Sequence, residues 1–373
     1  MFNSIIKLII QSVSFSTMGD KYKFIVNPIA DLGKCIDKWE IAEKIINEYS
    51  IDYAVDFTSR PFQAEDLVIK AVNEGFNKII SVSGDGVLNE ITNGLMKVPE
   101  EKRKTVSLGV LPFGTGNDYN TVLGFPWDPK NAIVHLMEKS ETSPVSIGKM
   151  KVVDTGLKKY FINVLDVGIS SIVGHAANLG EGSFIKGPSK YTYLALKKLL
   201  TVKQIKANIR LDEKEFLPIK LMMVTIGTGK CNGGGMFCCV DAHPQHDSFN
   251  VFITQSVTKL QTLIGIGRIK DGKHKTMKGT LFTYAKKVEI KTEKPIAFQF
   301  DGEVYIPPKY PQSSVGTHMI TEIIPQALNV IYNTEHKSID WLNQEELLKG
   351  KLPPLEEKRD WTHKKYRKWL EHN

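Results

Sequence analysis

From residue 21 onward, short apolar runs alternate with stretches in which apolar residues recur every three or four positions. The run 22–27 (YKFIVN) reads as a buried strand that stops at Asn27-Pro28, a turn signal. Residues 37–49 place Trp39, Ile41, Ala42, Ile45 and Ile46 on one helical face, with Asp37 as a cap. A second strand over 52–57 and a second helix over 63–74 follow. A third strand over 78–82, a helix over 88–96 and a fourth strand over 106–111 continue the series. Strands alternating with helices predict a parallel sheet covered on both faces.

Near residue 143 the texture changes. The segments 146–154, 159–167, 206–212, 219–226, 249–254, 287–291 and 296–300 are strand-like, with one clear helical pattern at 190–201. The expected organisation is therefore an extension over 1–20, an α/β nucleotide-binding domain over 21–144 and a β-rich domain over 145–310. A return strand within 321–332 and a charged, helical tail fill 311–373. That tail sets Lys358, Arg359, Lys364, Lys365, Arg367 and Lys368 around Trp361, Tyr366 and Trp369.

Composition narrows the function. A chain of 373 residues with 42% hydrophobic and 24% charged residues is ordinary globular material with room for two cores. The 49 basic against 41 acidic residues leave a net charge of +8, which suits anionic partners: nucleotides or an anionic membrane face. The basic excess is dispersed and no nucleic-acid module is recognisable, so nucleic acid is not an expected partner. Four cysteines without a CxxC pair fit a reducing, cytoplasmic setting and argue against a disulfide framework or structural zinc. No apolar run reaches the roughly 20 residues of a membrane span, so membrane contact is expected to be peripheral. Residues 1–17 (MFNSIIKLIIQSVSFST) read as an extension before Met18, with a mitochondrial presequence as the alternative.

Two turns carry the chemistry. Ser83-Gly84-Asp85-Gly86 follows the third strand, and Gly114-Thr115-Gly116-Asn117-Asp118 follows the fourth. Beyond the carboxyl ends of parallel strands, helix N-termini and free N–H groups favour phosphate, and glycine lets the backbone approach it. The P-loop pattern GxxxxGK[ST] is absent, and no GxGxxG follows the first strand, which disfavours standard NTP and dinucleotide folds.

The segments SVSGDGVLNEITNGL (81–95) and LPFGTGNDYNTVLGFP (111–126) resemble the paired signatures of the diacylglycerol kinase and sphingosine kinase superfamily. Supporting matches lie at Asn27-Pro28, Thr58, NVLDVG (163–168), Asn232 to Met236, Asp301-Gly302-Glu303 and Pro325 to Leu328. The resemblance covers about 22–332. It implies an ATP-dependent lipid kinase: a phosphofructokinase/NAD-kinase-like parallel-sheet domain, then a β-sandwich, with ATP in the cleft between them. By that resemblance Asn27, Pro28, Thr58, Gly84, Asp85, Gly86, Glu90, Gly114, Thr115, Gly116, Asn117 and Lys190 line the nucleotide. Asp301, Gly302 and Glu303 approach it from the second domain. The chain departs from the pattern at Val87, where threonine is usual after GDG, and at Ser170, where an aspartate is usual.

Phosphoryl transfer to a lipid hydroxyl needs charge neutralisation, in-line positioning and removal of a proton. Mg²⁺ held through water by Asp85 and Asp301 supplies much of the first, and Lys190 adds to it. Asp85 is the first choice of general base and Asp301 the second. The expected acceptor is diacylglycerol, giving phosphatidic acid. Sphingosine, another sphingoid base or ceramide is the alternative, with Asp166 available to face an amine. A NAD kinase-like enzyme and a non-catalytic lipid or nucleotide sensor are the readings from other classes. His243 and His246, in a Pro-containing loop, are not expected to bind metal.

Overall fold

The computed structural model describes residues 19–185, 189–306, 316–343, 346–347, 349 and 351–352. The presequence-like segment 1–17 and the basic run 358–369 lie outside them.

The first domain alternates as its pattern predicts. Strands β1 (Lys21–Val26), β2 (Asp52–Phe57), β3 (Lys78–Ser83) and β4 (Ser107–Pro112) pair in parallel in the order β2-β1-β3-β4. Helices α1 (Lys34–Ile46), α2 (Gln63–Asn73), α3 (Asp85–Leu95), α4 (Glu100–Arg103), α5 (Asn120–Leu123) and α6 (Pro129–Glu138) fill the connections. Phe24 of β1 packs on Trp39 of α1 with ring centroids 5.1 Å apart, at the heart of this core. Two helices begin earlier than their periodicity suggests. α1 starts after Gly33, whose φ of 88° turns the chain, and α3 starts at Asp85 directly after the Gly84 cap. In α3, Gly94 lets α2 approach: a Cβ there would lie 2.6 Å from the Glu65 carbonyl oxygen.

Strands β5 (Ser140–Val152), β6 (Lys158–Phe161), β7 (Val164–Gly168), β8 (Ile205–Leu211), β9 (Leu217–Gly227) and β10 (Phe249–Gln255) begin the second half. It continues through β11 (Thr280–Ala285), β12 (Lys287–Thr292), β13 (Phe298–Phe300), β14 (Glu303–Tyr305) and β15 (His318–Asn333). β5 and β15 run antiparallel from end to end and belong to both halves. Asn329 and Val330 of β15 pair in parallel with β4, while 318–322 pair with β12. The boundary expected at 144 therefore falls inside a continuous strand. The second core, around Phe161, Phe249, Phe298 and Phe300, lies between the strands of the β-sandwich.

Among the described residues, the second half also holds three helices of ten or more residues where one was expected. Besides α8 (Ser189–Leu199) there are α7 (Ile169–Asn178) and α9 (Lys259–Ile269). β-Branched and glycine residues in ISSIVGHAAN and KLQTLIGIGRI weaken the helical signal. Burial of Ile169, Val173 and Ala176 decides for helix in α7, and a Thr258–Gln261 capping box starts α9.

Candidate active site

The carboxyl ends of β1 to β4 form one edge, and the turns leaving them are stitched together. Thr58 N–H donates to Val26 O (2.9 Å), Asn27 N–H to Val82 O (3.1 Å), and Gly114 N–H to Ser83 O (3.0 Å). The two glycine turns touch: a Cβ on Gly114 would lie 2.4 Å from Gly84 Cα. Asn117, at φ 51°, braces the second turn by donating to Pro112 O and Gly114 O and accepting from Gly114 N–H. Gly86 is exposed in the first turn of α3, where a Cβ would meet no protein atom within 4 Å. The first N–H groups of a helix have no partners within it, so this edge offers donors to an anion. At its rim, Asp31 accepts from Thr115 Oγ1 (3.3 Å) and from Lys38 Nζ (2.9 Å). Asp31 and Lys38 escape sequence reading, because neither belongs to a glycine turn.

Asp85 opens α3 and faces a second carboxylate. Its two oxygens accept from Asp118 N–H (2.9 Å) and Tyr119 N–H (3.1 Å), which ties the two turns together. Asp118 accepts in turn from Gly234 N–H (2.9 Å) and Gly235 N–H (2.8 Å) on the second half. Burial raises both carboxyls above the ordinary range, repulsion from Asp85 adds to the rise at Asp118, and the backbone donors oppose it. The pair therefore holds a proton at higher pH than an isolated carboxylate would. Asp118 was visible as the last residue of GTGND, but the closing of Gly234 and Gly235 over it joins residues 116 and 117 apart in sequence.

The remaining expected residues divide by what they touch. Asp301 lines the cleft, yet both of its oxygens are engaged. Oδ2 accepts from Ile162 N–H (2.7 Å) and Asn89 Nδ2 (3.1 Å), and Oδ1 from Asn163 N–H (3.1 Å) and Val164 N–H (2.9 Å). Four donors use the acceptor capacity of a carboxylate. By these bonds Asp301 ties α3 to the start of β7. Burial pushes its carboxyl up to about 6 against the pull of those donors. Glu90 accepts from Phe62 N–H (2.9 Å) and Ala64 N–H (3.1 Å), so it caps α2. Glu303 accepts from Tyr305 Oη, with Lys159 Nζ 4.0 Å away. Lys190 donates to Ala177 O (3.0 Å) at the end of α7, whereas its neighbour Tyr191 and Ala195 are residues of α8 that reach the cleft. Asn89 and Asn93, which both donate to Tyr160 O, join α3 to the second half. Buried asparagines on an amphipathic helix were the available signal for them.

A cavity of about 360 Å³ starts at Asp85, Gly86, Gly116 and Asp118 and runs into the second half. Its far walls are mostly apolar, with Val173 of α7, Met222 and Met223 of β9, Phe252 of β10, Ile266 of α9 and Met277, and they also carry Thr254, Gln261 and His274. Asp166 is not on its wall. That carboxylate is buried and accepts from Thr225 Oγ1, Asn232 Nδ2 and Gln299 Nε2, while Ser170 stands on the wall instead.

Known proteins share the two domains in this order. Residues 21–150 match the diacylglycerol kinase catalytic domain, and 163–332 match the YegS C-terminal NAD kinase beta sandwich-like domain. A diacylglycerol kinase of Staphylococcus aureus is 26% identical over 292 residues, 77% of this chain and 87% of that protein. A diacylglycerol kinase of Mycobacterium tuberculosis is 24% identical over 270 residues, 72% and 84% of the two chains. A solved candidate diacylglycerol kinase of Bacillus anthracis strain Sterne shares the fold. Its TM-score is 0.64 at 23% identity, covering 86% of this chain and all of that one. With both domains matched in order, from the first strand of the parallel sheet to the end of the sandwich, this chain belongs to the diacylglycerol kinase family of lipid kinases.

Proposed function

We propose that the protein transfers the γ-phosphoryl group of ATP to the free hydroxyl of diacylglycerol, giving phosphatidic acid. The observation that carries this reading is the cavity: one end is the carboxylate and glycine-turn edge, the other an apolar chamber without a charged wall residue among those that line it. A polar acceptor would gain nothing from Met222, Phe252 and Ile266, whereas acyl chains would be buried by them. A sphingoid base is disfavoured because its amine would find Ser170 where a carboxylate is needed, and Asp166 is already saturated.

In this reading ATP lies along the edge of β1 to β4, with its phosphates toward the N–H groups of Gly84–Gly86 and Gly114–Gly116. Asp85 takes the hydroxyl proton as the lipid oxygen forms its bond to the γ-phosphorus and the bond to the β-phosphate oxygen breaks, releasing ADP. The Asp85–Asp118 pair is a hard-oxygen donor set of like charges, which fits a magnesium ion held through its waters. Bound there, the ion would neutralise developing phosphate charge. Asp301 positions α3, and with it Asp85, against the second half.

The test is purified protein with labelled ATP, magnesium and a panel of diacylglycerol, monoacylglycerol, sphingosine and ceramide in mixed micelles. Diacylglycerol should be the preferred acceptor, and Asp85→Asn should lower turnover by at least about 100-fold in a folded protein. Preference for sphingosine would replace the acceptor assignment. Near-normal turnover of Asp85→Asn would remove Asp85 as the base.

A further inference from the structure

Helix α1 touches the chain just before both glycine turns. Cys35 Sγ donates to Val82 O (3.5 Å), two residues before Gly84. One turn further along the same helix face, Lys38 Nζ donates to Phe113 O (3.5 Å), the residue before Gly114. The Lys38 ammonium also donates to Asp31 Oδ2 (2.9 Å), and Asp31 Oδ1 accepts from Thr115 Oγ1 (3.3 Å) within the second turn. Phe113 O and Asp31 use two of its three N–H donors, and the side chain is 26% exposed, so a ligand at this edge can reach it.

Asp31 arrives at the turn through strained backbone. Asp31 and Leu32 are left-handed, with φ of 51° and 58°, a region L-residues rarely adopt. Leu32 is 96% exposed, so packing does not offset the strain. Strain held without packing gain is a feature of ligand sites. Its result here is a carboxylate laid across a hydroxyl and an ammonium, the two kinds of donor that a phosphate would take from this turn.

We propose that Lys38 and Thr115 bind the phosphates of the nucleotide, and that Asp31 occupies both donors as an internal anion which the nucleotide displaces. A partly exposed ion pair is weak in water. A nucleotide's phosphate chain brings more charge and more acceptor oxygens to the same two donors, so the ammonium exchanges one anion for the other. The Asp31 carboxylate, left beside the phosphates, repels them and limits how tightly the nucleotide is held. This rests on the placement of ATP along the strand edge and not on the identity of the lipid.

The test is calorimetric titration of the full chain with ATP and magnesium, and with adenosine, in the absence of lipid. Wild type is compared with Lys38→Gln and Asp31→Asn, each checked for folding by urea unfolding. Lys38→Gln should bind ATP at least about tenfold more weakly, the scale of one charge-assisted hydrogen bond. Asp31→Asn keeps an acceptor for Thr115 but loses the competing charge, so it should bind ATP about threefold more tightly or better. Adenosine, which has no phosphate, should bind all three proteins alike. An ion pair that served only the fold would give both variants the same sign, since either substitution breaks the same bridge. Any pairing of signs other than the expected one, or a Lys38→Gln loss as large for adenosine as for ATP, would overturn the proposal. A wild-type protein that binds no ATP would overturn it together with the placement of ATP, whereas a preference for another lipid leaves it standing.

Discussion

Replacing Asp301 tests whether its carboxylate holds the fold or performs chemistry. Asp301→Ala would strand the N–H groups of Ile162, Asn163 and Val164, which it accepts at 2.7, 3.1 and 2.9 Å in a place only 4% exposed. Asn89 would keep a partner in Tyr160 O. An unsatisfied buried donor costs about 1–3 kcal/mol, so three stranded groups amount to about 3–9 kcal/mol before any water enters. That is a large part of the ~5–15 kcal/mol that holds a typical domain. Asp301→Asn keeps one oxygen for one or two of the donors and turns an NH₂ toward the rest, so about 1–3 kcal/mol is expected for it. Urea unfolding followed by tryptophan fluorescence should show Asp301→Ala far below the wild type and Asp301→Asn between them. Turnover of the folded Asn variant should fall far less than that of Asp85→Asn. An Asp301→Asn protein as stable as the wild type but without turnover would refute the structural assignment and make Asp301 the base.

The glycine turns separate packing from ligand approach. Gly114→Ala should destabilise the protein because the methyl meets Gly84 backbone, whereas Gly86→Ala should leave stability unchanged and weaken ATP in calorimetric titration. The pH dependence follows from the carboxylate pair. Asp85 must be ionised to accept a proton and its carboxyl is raised, so kcat/KM should fall on acidification at a pH above the ordinary carboxylate range, and recover above it. Asp118→Asn removes a neighbouring like charge, so the acid limb of a folded variant should move to lower pH; an unmoved limb would show that the two groups do not interact.

The parallel sheet and its edge of glycine turns are legible in the sequence because they are local. A strand, a glycine turn and a helix start lie within a few residues of one another, and each has a period or turn signal of its own. Gly84, Asp85 and Gly114–Asn117 could therefore be placed at the edge before any contact was known. The roles of Asp301, Glu90 and Lys190 could not, because what decides them is the set of groups that reach them. Asp301 meets amides 137 to 139 residues earlier in the chain, and Glu90 caps a helix that starts 27 residues before it. A carboxylate type in a motif states what it can accept, not which donors arrive first. The exposed Leu260, Leu263 and Ile264 of α9 show the same limit from the apolar side. The periodicity of KLQTLIGIGRI was too apolar on too many faces to read as a surface helix. Only packing against the cavity divides its residues into a face that lines it and a face left exposed. Likewise β15 reads as one more strand in sequence, and its length lets it pair with β4 at one end and β12 at the other. That shared strand holds the two halves around the cleft, and long-range pairing of this kind has no local signature.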